Sequence, residues 1–172
     1  AVIGDAKLVL RQLIEEAKKQ LGERPGRTDL AAELATVRQE YYAEWMPQLT
    51  DNAGPINPYR VIWDVYHNVD VKNTIVTHDS GNVRDQVTAF WEALAPNSYL
   101  GWGNSTQLGT SLGMAMGAKM AAPDKLCINF LGDTAFGMCG MDLETAVRER
   151  IPILTVLINN GAMGGYDRYM PV

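Results

Sequence analysis

A chain of 172 residues is the size of one ordinary domain with room for an appended piece. Hydrophobic residues make up 47% and charged residues 20%, enough for a packed core and too apolar for a disordered chain. The formal net charge of −5 and the absence of a basic cluster argue against nucleic acid or an anionic membrane as partner. No apolar run reaches the roughly eighteen residues of a membrane span.

Asp5 stands where an N-cap is needed for a helix over residues 6–21, whose apolar positions Leu8, Leu13, Ile14, Ala17 and Leu21 follow the 3.6 period up to Gly22. Residues 23–28 are polar with Pro25 and Gly26, and a second helix is expected over 30–46. The turn-rich stretch 49–58 ends in Asn57-Pro58, a cap followed by a first-turn proline, so 59–67 reads as a helix. A strand over 73–79 runs into Ser80-Gly81-Asn82, then a helix over 83–94, a short strand over 98–102 and a loop over 103–107. A helix over 108–122 carries Gly109, Gly113 and Gly117 on one face, expected to pack closely on a strand or a neighbouring subunit. Met114, Met116, Met120 and Met138 read as core filler. Strands over 126–131 and 153–158 flank a helix over 141–150, on which Glu144 is placed to make a salt bridge. The repeated β-loop-α order predicts an α/β fold, a doubly wound parallel sheet flanked by helices.

Two buried parallel strands joined by a helix bring their C-terminal ends together, so the residues just beyond them share a crevice. Here those residues are Asp133, in Gly132-Asp133-Thr134-Ala135, and Asn160, in Asn159-Asn160-Gly161, twenty-seven positions later. An Asp, an Asn and nearby backbone oxygens make an oxygen-only ligand set, suited to Mg²⁺ or Ca²⁺ and not to zinc. An ion held by so little protein shares its shell with phosphate oxygens and water, which points to a diphosphate. A third strand end, at Asp79, is expected on the same edge, and the glycine turn Ser80-Gly81-Asn82-Val83 before a helix suits an anion.

Gly-Asp, a spacer and then Asn-Asn resembles the thiamine diphosphate (ThDP) binding motif. Residues 54–172 look like the cofactor domain of the acetolactate synthase-like ThDP enzymes, which include decarboxylases, carboligases and acyl-CoA lyases. The resemblance implies ThDP and Mg²⁺ as cofactors, with Asp133, Asn160 and the carbonyl of Ala162 as metal ligands and Thr134 where the family usually has glycine. It implies that Asn82 and the amide of Val83 hold the terminal phosphate, beside Ser80 and Gly81, with Asn-Val in place of the common Gln-His. The turn of Gly132, Thr134 and Ala135 offers amides to the diphosphate. In the loop of Thr106, Gln107 and Leu108, the Thr106 carbonyl accepts from the 4′-amino group. Leu108 is the apolar wedge that bends the cofactor so that the amino group reaches thiazolium C2. After Asn160, Ala162 and Met163 begin a helix near the thiazolium. Further along, Gly165, Tyr166 and Tyr169 stand where acetolactate synthases proper have larger apolar residues and a tryptophan, so a substrate larger or more polar than pyruvate is expected. His78 is expected near the cofactor edge.

The same resemblance assigns residues 1–22 to the end of a preceding middle domain and 23–53 to a linker with a helix. It places the activating glutamate in another domain of a partner subunit, so no catalytic residue is expected in this chain. A homodimer or homotetramer acting on a 2-oxo acid or acyloin-type substrate follows. The chain opens without Met and stops soon after the motif, so a sheet incomplete at both ends, and a fragment with little activity of its own, are expected. Cys127 and Cys139 read as free thiols of a reducing compartment, and the cytosol is expected in the absence of a signal peptide.

Overall fold

The computed structural model describes residues 3–22, 29–101, 103, 105, 107–163 and 170–171, for the last two the backbone alone. Contacts divide the chain into two compact units, residues 1–45 and 46–172. The first holds helix α1 (Ala6–Leu21) and most of α2 (Leu30–Leu49). Asp5 caps α1 by accepting from the Leu8 N–H at 3.0 Å, and Gly22, at φ +64, ends it. Its apolar stripe is not buried: Leu8, Leu13 and Ile14 are each more than half exposed. Helix α2 runs past the expected end at residue 46 and through Pro47, which carries Leu49 into full burial.

The second unit is built on a four-stranded sheet in the order β2-β1-β3-β4, with every pairing parallel. The strands are β1 (Thr74–His78), β2 (Tyr99–Leu100), β3 (Leu126–Gly132) and β4 (Leu154–Ile158). β1 is buried along its whole length, as is most of β3, as expected of central strands covered on both faces. Helix α3 (Pro58–His67) starts as its sequence predicts, with Asn57 accepting from the Tyr59 N–H. Three further helices follow: α4 (Asn82–Phe90), α5 (Ser111–Ala121) and α6 (Asp133–Cys139). The helical set closes with α7 (Asp142–Arg148), where Glu144 pairs with Arg148 at 3.0 Å.

Period-two geometry assigns the helices to faces. The Thr77 hydroxyl donates to the Ser111 carbonyl at 2.9 Å and lies 3.3 Å from Asn129 Oδ1, so Thr77 and Asn129 turn toward α5. Phe130, one residue along, turns the other way and meets Trp91, just after α4, edge-on at 5.8 Å. Leu112 of α5, Leu131, and Ala135 and Cys139 of α6 form one buried cluster on the α5 side. The expected α/β sheet with helices on both faces is what forms.

Several boundaries differ, each for a packing reason. α4 stops at Phe90 rather than 94, because Trp91 adopts extended backbone and buries itself against Phe130 and Tyr66. α5 begins at Ser111, not 108: Gly109 takes φ +79, a conformation that interrupts a right-handed helix. Among the described residues, the glycine face does not pack closely on a strand of this chain. Gly109 precedes the helix, and a methyl at Gly113 or Gly117 meets nothing within 4 Å. Met120 and Met138 are not core filler either, being 70% and 60% exposed. Residues after Asp133, expected as a turn, form helix α6. Ala162 and Met163, expected to open a helix, form β5 (Ala162–Met163), antiparallel to β6 (Met170–Pro171). No described helix is long and apolar enough to cross a membrane.

Candidate functional site

The ladder between β3 and β4 pairs Gly132 with Ile158, so Asp133 and the Asn159-Asn160 turn leave the sheet side by side. A cleft of about 590 Å³ opens there. Its walls are the start of α4, the start of α6, the turn from β4 into β5, and Leu108 from the loop before α5. Ser80, Gly81, Asn82, Val83, Leu108, Gly132, Asp133, Thr134, Ala135, Asn160, Ala162 and Met163 all line this one cleft. Gln107 lies beside it, its carbonyl accepting from the Ser80 N–H at 3.2 Å. Thr106 and residues 165, 166 and 169 lie outside the described residues.

Each wall has a local cause. Gly81 adopts φ +82, which lets the chain turn sharply from β1 into α4 and leaves the first N–H groups of the helix without a side-chain cap. Uncapped N–H groups and the positive end of the helix dipole favour an anion at this point. Asn159 and Asn160 fold the strand end over through two successive side-chain turns, their Oδ1 atoms accepting from Gly161 N–H at 2.9 Å and Ala162 N–H at 3.1 Å. Asn160 Oδ1 retains a second lone pair. Asp133 is the first residue of α6, and its side chain makes no hydrogen bond or ion pair with a described residue.

The donor set fits Mg²⁺ bound to a diphosphate. Asp133, Asn160 and the Ala162 carbonyl are hard oxygen donors, and no group of three His, Cys, Asp or Glu side chains among the described residues offers a competing all-protein site. Two buried polar atoms on lining residues, Thr134 Oγ1 and Gln86 Oε1, have no hydrogen-bond partner among the described residues. Buried polar atoms are rarely left unpaired, so a polar ligand in the cleft is their natural partner.

Sequence reasoning missed Pro58, Arg84, Asp85, Gln86 and Ile158, which also line the cleft. Gln86 was legible: it follows Asn82 at i+4 and so shares its helix face. Pro58 arrives from a distant element and had no local signal. Arg84 and Asp85 pair at 2.5 Å while largely exposed, a contact of small energetic value.

Two strand-end residues do not join the cleft lining. Asp79 is fully buried and turns toward α5, accepting from the Thr110 and Ser111 N–H groups. His78 is 3% exposed, and its Nδ1 lies 3.0 Å from the Asp79 carbonyl, which can only accept, so that nitrogen carries the proton. Burial lowers the His78 pKa, with Arg84 acting in the same direction and the Asp79 carbonyl and carboxylate opposing. Burial also raises the pKa of the free thiols Cys127 and Cys139, the latter further through Asp79 and Asp142. Neither thiol has the character of a nucleophile.

A parallel sheet with an oxygen-lined cleft at its carboxyl edge and an uncapped helix N-terminus defines a phosphate-binding α/β domain. The model of the thiamine pyrophosphate enzyme C-terminal TPP binding domain matches residues 79–168, just over half of the chain. The chain belongs to this family of thiamine pyrophosphate enzymes. It is 29% identical to a 2-hydroxyacyl-CoA lyase of Arabidopsis thaliana across 99% of its own length and 30% of the relative's. It is 26% identical to a probable acetolactate synthase large subunit of Methanococcus aeolicus, over 95% of this chain and 28% of that protein. An acetolactate synthase large subunit of Mycobacterium tuberculosis is 30% identical over 77% of the chain and 24% of its own length. The chain thus spans about 30% or less of the length of these curated relatives.

Proposed function

We propose that this chain is the cofactor-binding part of a ThDP- and Mg²⁺-dependent enzyme that cleaves or forms carbon–carbon bonds next to a carbonyl. The observation that carries the reading is the gathering of the start of α4, Leu108, the start of α6 and the β4–β5 turn around one cleft. Asp133, Asn160 and the Ala162 carbonyl hold the metal. Asn82, the Val83 amide and Thr134 Oγ1 bind phosphate oxygens, and Leu108 supports the bend. When bound, ThDP supplies a nucleophilic carbon and an electron sink for the bond cleaved. The chain's own residues anchor and orient; the activating glutamate comes from another domain, and the enzyme is a cytoplasmic homodimer or homotetramer. Of the alternatives, a non-catalytic oligomerisation module fits less well with the Asp133 and Asn160 pair in the cleft, and a cofactor-binding subunit of a split enzyme fits less well with residues 1–22, which resemble the end of a middle domain.

The substrate is a 2-oxo acid or acyloin-type compound larger or more polar than pyruvate, on the strength of Gly165 and Tyr166. The relatives named as 2-hydroxyacyl-CoA lyases support a lyase direction. Calorimetric titration of the full-length enzyme with ThDP, with Mg²⁺ and then with a chelator, tests the cofactor. An assay over pyruvate, larger 2-oxo acids and 2-hydroxyacyl thioesters tests the substrate. Tight Mg²⁺-dependent binding and preference for the larger compounds are expected. Efficient acetolactate formation with no gain for larger substrates overturns the substrate assignment alone.

A further inference from the structure

Leu108 stands between two anchors, and both lead back to the tip of β1. On one side the Ser80 N–H donates to the Gln107 carbonyl at 3.2 Å. On the other, Asp79 Oδ1 accepts from the N–H groups of Thr110 and Ser111, each at 3.1 Å. Asp79 is itself held, fully buried with its N–H donating to the Phe130 carbonyl of β3 at 3.1 Å. Between the anchors, Gly109 at φ +79 lies so close to α6 that a Cβ there meets those of Met138 and Cys139 at 3.4 and 3.5 Å.

A helix start is ordinarily capped by the side chain of its own N-cap residue. Thr110 occupies that position in α5 and makes no side-chain cap bond, although threonine is able to. The cap comes instead from a carboxylate thirty-one residues earlier, kept without contact to water. Burying a carboxylate is costly, and the N–H groups it meets, those of the N-cap Thr110 and of Ser111 at N1, are ones that an N-cap side chain, which accepts from N2 or N3, does not serve. What only the distant cap achieves is to tie the loop carrying Leu108 to the strand whose end also carries Ser80 and Gly81. Asp79 Oδ2 has no partner among the described residues, so the two N–H bonds at Oδ1 are its visible role.

We propose that Asp79 is a positioning residue, whose carboxylate sets where Leu108 stands in the cleft and thereby the geometry of the bent cofactor. The proposal rests on the reading of the cleft as a ThDP site. Its test compares Asp79→Ala and Asp79→Asn in the full-length enzyme. Two quantities are measured: ThDP affinity with Mg²⁺ present, and hydrogen–deuterium exchange at C2 of the bound cofactor. Asp79→Ala slows exchange roughly ten- to a hundred-fold, the scale of a misplacement of about 1 Å, with affinity retained. Asp79→Asn keeps an acceptor oxygen facing both N–H groups and restores exchange. Wild-type exchange in Asp79→Ala overturns the proposal, as does a parallel fall of affinity and exchange, the mark of a merely structural residue. Should Asp79→Ala not fold, Asp79→Ser, whose hydroxyl is one bond shorter than the carboxylate that reaches the Thr110 and Ser111 N–H groups, takes its place. Slowed exchange with affinity kept is expected, and unchanged exchange overturns the proposal. A wild-type enzyme that binds no ThDP overturns the functional reading itself.

Discussion

Gly132 and Ile158 are partners across the β3–β4 ladder, and this pairing delivers Asp133 and Asn160 to the same cleft from opposite ends of a twenty-seven-residue excursion. Parallel register makes the two residues neighbours without any hydrogen bond between their side chains. Asp133→Ala therefore removes the charged member of the proposed ligand set and leaves the strands untouched. Mg²⁺-dependent ThDP affinity is expected to fall by more than about 100-fold, since loss of an outer-shell partner alone costs roughly 10–100-fold. Asn160→Ala acts in the same direction but less severely, because it removes a neutral ligand. Calorimetry on the full-length enzyme measures both, and unaltered affinity in Asp133→Ala sinks the metal assignment.

Leu108 lines the cleft and also packs against the cluster of Leu112, Leu131, Ala135 and Cys139. Leu108→Ala is expected to leave ThDP affinity largely in place, since the diphosphate anchors are elsewhere, and to slow C2 exchange. Its stability cost should stay below the roughly 2–5 kcal/mol of a fully buried Leu→Ala change, because the residue is only partly buried. Exchange at the wild-type rate shows that Leu108 serves packing alone.

Gly81 begins α4 at φ +82, with open space around a would-be Cβ. The effect of Gly81→Ala therefore comes from backbone strain and not from a clash. About 1–3 kcal/mol of stability is expected to be lost, because φ +82 with ψ −155 is a region open essentially to glycine alone; denaturant unfolding measures it. ThDP affinity should fall as well, because relief of the strain moves the N–H groups of the phosphate end. Full stability in the variant removes the claim that this turn requires glycine.

His78 is buried neutral, its pKa lowered below the ordinary 6.5 chiefly by burial. The unfolded chain takes up a proton as pH falls through about 6.5, while the folded protein does not until a lower pH. Stability is thus undiminished by this residue above pH 6.5 and declines below it, levelling off once the folded-state pKa is passed. His78→Asn, which keeps a donor toward the Asp79 carbonyl, should flatten that decline. Urea unfolding of the wild type and the variant at pH 7.5 and pH 5.5 compares the slopes, and identical slopes refute the assignment.

The sequence by itself determined most of the elements of the sheet and the meeting of Asp133 and Asn160 at one cleft. Apolar runs before Asp133 and Asn160, with a helical pattern between, admit few arrangements other than a parallel βαβ unit. Such a unit places both residues at one edge by geometry alone. Local capping chemistry was equally legible, with Asp5, Asn57 and Gly22 acting where their positions predict. Tertiary structure decided what depended on competition for burial or on distant partners. Trp91 left its helix to pack on Phe130. Leu108 fell in a loop because Gly109 turned against α6. Ala162 and Met163 paired with residues 170–171 instead of starting a helix. Asp79, at a strand end like Asp133, turned away from the cleft because the free N–H groups of α5 lay within its reach. Sequence periodicity encodes which face of an element is apolar, but not which distant backbone group meets a given side chain. That depends on how the helices settle on the sheet, and so on the packing of the whole domain.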